Sequence, residues 1–160
     1  MSEFDLAYRR YFPVIRAKCS RMLVDSASGD DVAQETFMRF WKSGFLNADP
    51  RTQVAWLYRT STRIAIDQLR ERTRRPGDGV PGEMASAASS PDDTLAMRQG
   101  LARLAAVLPR QELEIALLHR LDELTQEEIA TVAEVSARTV RRCLARLDQR
   151  LAKLGKENMR

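Results

Sequence analysis

The chain has 160 residues, with 26 Lys and Arg against 22 Asp and Glu and a formal net charge of +4. An apolar content of 44% supports a packed core, aromatics at 6% make that core aliphatic, and charged residues at 30% favour surface helices over a large buried sheet. One histidine, two cysteines without C-x-x-C spacing, and the absence of phosphate-loop, dinucleotide and nucleophile-elbow motifs argue against paired His or Cys metal sites, nucleotide enzymes and α/β hydrolases.

The opening residues MSEFDLAYRRYFPV have no apolar signal-peptide core, and no apolar run nears the roughly 18 residues of a membrane span. The expectation is a cytoplasmic protein in a reducing compartment, without membrane insertion, cofactor or catalytic activity. Basic residues gather in positions 1–75 and 137–160, whereas positions 76–136 are net acidic. Basic stretches of this kind fit phosphate binding, although alone they are weak evidence.

In the first half the pattern predicts four helices. The first covers about residues 3–11, and Pro13 either kinks the chain or opens a second helix to about residue 24. A third follows the start signal Ser28-Gly29-Asp30 and runs to about Ser43. Its inner face is Val32, Ala33, Thr36, Phe37 and Phe40. The opposite face carries Asp31, Gln34, Glu35, Met38 and Lys42, where an exposed Met among charges suits either a partner contact or a solvated surface.

The fourth helix starts after Pro50 and passes Arg70. Arg59, Arg63 and Arg70 fall within about 40° on its wheel, with Trp56 beside them and Ile66 among them. Guanidinium groups with an adjacent indole suit single-stranded nucleic acid. The alternative is a core tryptophan beside solvated arginines.

Residues 75–94, rich in Pro, Gly and Ser and free of basic groups after Arg75, predict a flexible acidic linker. After Pro109 comes a helix over residues 110–121. Thr125 and Glu128 then form a capping box opening a short helix through Ala133. A turn, Glu134-Val135-Ser136, follows, with Ser136 as the N-cap of a second helix. Ile129, Ala130, Val135, Val140 and Leu144 supply a small core, so the segment reads as a helix-turn-helix. Its second helix presents Arg138, Thr139, Arg141, Arg142 and Arg146 for the major groove and phosphates. The competing pattern is a coiled-coil seam of Val140, Leu144, Leu147, Leu151 and Leu154, which leaves the capped helix and tight turn unexplained. His119 and both cysteines, Cys19 and Cys143, read as structural. Cys143 would be redox-sensitive only as an exposed, acidified thiol.

Together the segments DDVAQETFMRFW, AWLYRTSTRIAIDQLRER and LPRQELEIALLHRLDELTQEEIATVAEVSARTVRRCLARL resemble, in order, regions 2.2, 2.3–2.4 and 4 of the extracytoplasmic-function (group IV) RNA polymerase sigma factors. The phrases LLHRLDELTQEEIA and SARTV resemble the iron-uptake branch. The resemblance implies an all-α protein of two small domains, region 2 at residues 1–74 and region 4 at residues 95–160, tethered by the linker. It implies that Asp31, Gln34, Glu35 and Met38 dock on the β′ clamp helices of core RNA polymerase. The loop holding Asn47, with Trp56, Arg59 and Arg63, would open and hold the −10 element of promoter DNA and pocket a flipped base. Ser136, Arg138, Thr139, Arg141, Arg142 and Arg146 would serve the −35 element, and region 4 would also bind the β flap. An anti-sigma factor is the further partner implied. Glu134 departs from the glycine usual at that turn.

Two other classes compete: a stand-alone helix-turn-helix regulator that dimerises on a palindrome, and an interaction protein built on a coiled-coil seam. The sigma reading fails outright if Trp56 and the arginine ridge are sealed on every side within one globule.

Overall fold

A computed structural model describes residues 1–74 and 91–158, and every described element is an α-helix. The first, α1, spans Glu3–Leu23. Ser2 caps it, its hydroxyl accepting the Asp5 N–H at 3.2 Å while the Asp5 carboxylate accepts the Ser2 N–H at 3.1 Å. Pro13 lies inside this helix and neither breaks it nor starts another, so the expected pair of helices is one. Pro13 and Arg9 both lie on the exposed side, where water can serve the carbonyl that the missing proline N–H leaves unpaired.

The second helix, α2, covers Ser26–Lys42 and starts earlier than the Ser28-Gly29-Asp30 signal suggests. The true cap is Asp25, which accepts the Ala27 N–H at 3.2 Å and the Ser28 hydroxyl on its other oxygen. Gly29 has a different role. A Cβ there would lie 2.6 Å from the backbone N and Cα of Ser20, so only glycine lets α2 come this close to α1. The expected inner face is correct, since Val32, Ala33, Thr36, Phe37 and Phe40 are all buried.

After a short loop, α3 runs Pro50–Arg74. Then come α4 (Pro91–Val107), α5 (Arg110–Arg120), α6 (Gln126–Ala133) and α7 (Ala137–Asn158). Residues 75–90, most of the expected linker, lie outside the described residues. Residues 91–94 belong to the first turn of α4, where Asp92 and Asp93 complement the helix dipole and Thr94 is buried.

The helix α3 is central. It packs against α1 and α2, and also against α4, α5 and α6. One apolar cluster runs from Ile15, Phe37 and Phe40 through Leu57, Ile66 and Leu69 into Leu101, Leu108, Leu113 and Leu117. A second holds α5, α6 and α7 together through Ile115, Leu118, Ile129, Val132, Val140 and Leu144. The two regions therefore share a core across α3. Ile66 accounts for the extra contact: it sits in the arginine stripe yet is fully buried, so that face of α3 is a packed one.

Candidate nucleic-acid interface

The helix-turn-helix forms as its caps require. Thr125 accepts the Glu128 N–H at 3.1 Å, and the Glu128 carboxylate accepts the Thr125 N–H at 3.0 Å. That exchange, with the exposed carboxylate at the helix N-terminus, pulls the Glu128 pKa below its ordinary value. Glu134 ends α6 in the left-handed region, φ 56, where glycine is the low-strain choice. Ser136 then caps α7, accepting the Thr139 N–H at 3.1 Å, and its hydroxyl lies 3.0 Å from that of Thr139. Ser136 and Thr139 thus spend polar groups on each other and position the helix.

On α7, Arg138, Arg141, Arg142 and Arg146 are exposed, while Val140, Cys143, Leu144 and Leu147 are buried against α5 and α6. Arg146 is partly engaged, 3.3 Å from Glu112, whose other oxygen lies 3.5 Å from Arg150. Arg138, Arg141 and Arg142 point outward with no ion pair among the described residues. The coiled-coil seam ends early: Leu151 and Leu154 are exposed beyond the helix-turn-helix core. Cys143 is buried and burial raises its thiol pKa, the reverse of an acidified sensor.

The arginine ridge of α3 is not the open surface the sequence suggests. Arg59 donates to the Val132 carbonyl at 3.1 Å and pairs with Glu134 at 3.0 Å. Arg63 lies 3.3 Å from Glu114, and Arg70 donates to the Leu108 carbonyl at 3.2 Å. Glu114 is buried, and desolvation raises its pKa although Arg63 opposes the shift. Trp56 is half-buried, its ring 5.4 Å from Phe40 and 6.1 Å from Phe45, so it also serves the core. The ridge is covered but not sealed: the Arg63 side chain remains 42% exposed against 14% for Arg59.

Asn47 is exposed in the loop between α2 and α3. The Gln53 amide fixes that loop by donating to the Leu46 carbonyl at 2.8 Å. Beside it lies an open hollow of about 290 Å³, lined by Asn47 and Gln53 with Leu6, Arg10 and Tyr11 of α1.

The outward face of α2 keeps Asp31, Gln34 and Met38 exposed, while Glu35 pairs with Arg39 at 3.0 Å. A groove of about 350 Å³ runs alongside, between Met38, Gln34 and Lys42 on α2 and Phe4 and Tyr8 on α1. Trp41 completes its wall, 57% exposed and 4.8 Å from the Phe4 ring. Sequence reasoning missed Trp41, although its exposed wheel position next to Met38 carried the signal. It also missed Lys18, a cation within the apolar stripe of α1, which pairs with Asp122 at 2.5 Å.

No helix among the described residues is long and apolar enough to cross a membrane, and no group of His, Cys, Asp and Glu among them is arranged to hold a metal. Sigma-70 region 2 matches residues 7–75, and sigma-70 region 4 matches residues 98–151. A probable RNA polymerase sigma factor, RfaY, of Xanthomonas campestris is 27% identical over 130 residues, covering 76% of this chain and 32% of that protein. The ECF RNA polymerase sigma factor SigE of Mycolicibacterium smegmatis is 28% identical, covering 94% of this chain and 61% of its own length. The ECF RNA polymerase sigma factor SigW of Bacillus subtilis is 26% identical, covering 77% and 73%. The chain thus spans about a third of the first of these relatives and about three-fifths of the second. With both sigma-70 regions present in order on one all-helical body, the chain belongs to the RNA polymerase sigma factors of the extracytoplasmic-function type.

Proposed function

We propose that this protein is a promoter-specificity factor that binds core RNA polymerase and directs initiation by reading −35 and −10 elements. The observation that carries the reading is α7, whose Arg138, Arg141 and Arg142 face outward on a helix anchored by a capped helix-turn-helix. Arginine reads guanine O6 and N7 with two hydrogen bonds, and the neighbouring Arg146 suits phosphate. The −10 surface is the α3 ridge with Trp56, Arg59 and Arg63, together with the separate hollow beside Asn47, whose lining reaches α3 at Gln53. There an arginine meets phosphate while an extruded base enters the cavity.

The polymerase contact is the α2 face of Asp31, Gln34, Glu35 and Met38, extended by the aromatic groove. An exposed apolar groove rimmed by polar groups is the kind of patch that marks a protein partner. We assign it to the β′ clamp helices, and region 4 to the β flap. Residues 75–90 would span between the two sites on the polymerase. The same reading makes the protein a cytoplasmic one that performs no chemistry itself. An iron-uptake role and an anti-sigma partner rest on the resemblance of LLHRLDELTQEEIA and SARTV alone.

Capture of core polymerase on the immobilised full chain tests the reading. Wild type retains the core enzyme, and Met38→Glu or Trp41→Glu loses most of it. Equal retention by all three proteins contradicts the assignment of that face. A stand-alone regulator would instead elute as a dimer and select a palindrome without polymerase.

A further inference from the structure

The hollow beside Asn47 has two walls, and α1 supplies the one that carries charge. Glu3 and Arg10 line it from α1 with Leu6 between them, opposite Asn47 and Gln53. The two charges stand two helical turns apart, about 10 Å along the axis, on one face of α1. Arg10 is held at its end by the Tyr11 ring, whose centre lies 5.4 Å from the guanidinium carbon. Glu3 is exposed in the first turn. The neighbouring carboxylates are engaged elsewhere: Asp5 accepts from Ser2 in the α1 cap, and Asp49 accepts the Thr52 N–H at 3.1 Å and its hydroxyl at 2.7 Å. The opposite wall is fixed, because Ser43 accepts the Phe45 N–H at 3.2 Å and the Gln53 amide holds Leu46.

We infer that α1 is the specificity wall of this pocket: Glu3 selects a base that carries an exocyclic amino group, and Arg10 holds a phosphate of the same strand. The inference rests on reading the hollow as the site of the extruded −10 base. Electrostatics assigns the two roles. A carboxylate repels the phosphates of a passing strand, so Glu3 is favourable only where it meets a base edge, and it can only accept hydrogen bonds. Cytosine N4 donates to such a group, as do the amino groups of adenine and guanine. Thymine sets its O4 acceptor where the amino group would be, so acceptor meets acceptor. Arg10 has only donors, which suits phosphate oxygens. The first-turn position also lets Glu3 complement the helix dipole, but that role is blind to the base, so base preference is the readout that separates the two.

Two labelled single strands of about 12 nucleotides, oligo-dC and oligo-dU, differ only at the base edge and probe the full chain directly. Every protein used carries Arg138→Ala, Arg141→Ala and Arg142→Ala, so that α7 contributes little to the binding. This background binds oligo-dC about tenfold more tightly than oligo-dU. Glu3→Gln brings the two affinities within about twofold, since an amide donates to O4 as readily as it accepts from N4. Arg10→Ala weakens both strands by the same factor, keeps the preference and lowers the salt slope by about 1. Equal affinities before any change to Glu3 overturn the inference, and so does a preference that survives Glu3→Gln or disappears with Arg10→Ala. Transcription with core polymerase separates the two levels, with α7 left intact. Promoters selected from a library randomised across the −10 element show one position confined to amino-bearing bases with wild type and relaxed with Glu3→Gln. Promoter-specific transcripts without that change remove the Glu3 assignment alone, whereas the absence of promoter-specific transcripts removes the reading beneath it.

Discussion

The Lys18 ammonium lies 2.5 Å from the Asp122 carboxylate, and neither side chain is more than 1% exposed. These residues are 104 positions apart, one on α1 and one after α5. Burial pulls the Lys18 pKa below its ordinary value, and the Asp122 charge and hydrogen bond oppose that shift. The Lys18 ammonium also lies 5.3 Å from the Tyr58 ring, which adds a second favourable contact. Removing one partner strands a buried charge. Asp122→Ala should therefore cost about 3–5 kcal/mol of stability by denaturant unfolding, while Lys18→Met with Asp122→Leu recovers much of it. Equal losses for the single and double variants would contradict the pairing.

Gly29 sets the distance between α1 and α2. A methyl group placed there meets the Ser20 backbone at 2.6 Å, which neither helix can yield without moving. Gly29→Ala should destabilise by about 1–3 kcal/mol despite the better helix propensity of alanine. Thermal unfolding decides it, and a rise in Tm would contradict the close approach.

Glu134 carries two opposing effects. Its left-handed backbone costs on the order of 1 kcal/mol relative to glycine, whereas its ion pair with Arg59, made by a side chain 64% exposed, contributes about 0–1 kcal/mol. Glu134→Gly should leave stability unchanged or raise it by less than about 1 kcal/mol. A loss well beyond that in urea unfolding would mean the pair outweighs the strain.

Cys19 is buried in α1, and burial pushes its thiol up to about 11 from 9.0. The folded chain therefore holds this proton more tightly than the unfolded chain between about pH 9 and 11. Stability should fall across that window by about 1.4 kcal/mol per unit attributable to this group. The contribution is read as the slope difference between wild type and Cys19→Ala, and parallel curves would contradict it.

The exposed arginines of α7 predict the opposite pattern of defects. Arg141→Ala or Arg142→Ala should leave the unfolding midpoint unchanged and weaken recognition of a −35 element by about 1–3 kcal/mol where the side chain reads a base. A stability loss without a promoter defect would place them in packing instead.

Local chemistry made much of this legible. The caps at Thr125, Glu128 and Ser136, the inner face of α2 and the α7 arginine face follow from spacing alone. Pro13 misled because its local cost, about 3 kcal/mol in a helix interior, is offset by the packing of the other side of α1 through Ile15, Cys19, Met22 and Leu23. Ser28-Gly29-Asp30 misled because Gly29 answers to the neighbouring helix, not to its own terminus. The arginine ridge misled most. Whether Arg59 meets solvent or Glu134 depends on a contact 75 residues away in sequence, which no local periodicity encodes. Ile66 within the ridge was the available clue that this face is also packed.

Run-off transcription on a genomic promoter library, with core polymerase and this protein, tests the central claim most directly. The account predicts a defined set of transcripts that requires the protein and that Arg138→Ala, Arg141→Ala and Arg142→Ala together abolish. Transcripts unchanged by adding the protein, with several core polymerases, would contradict it.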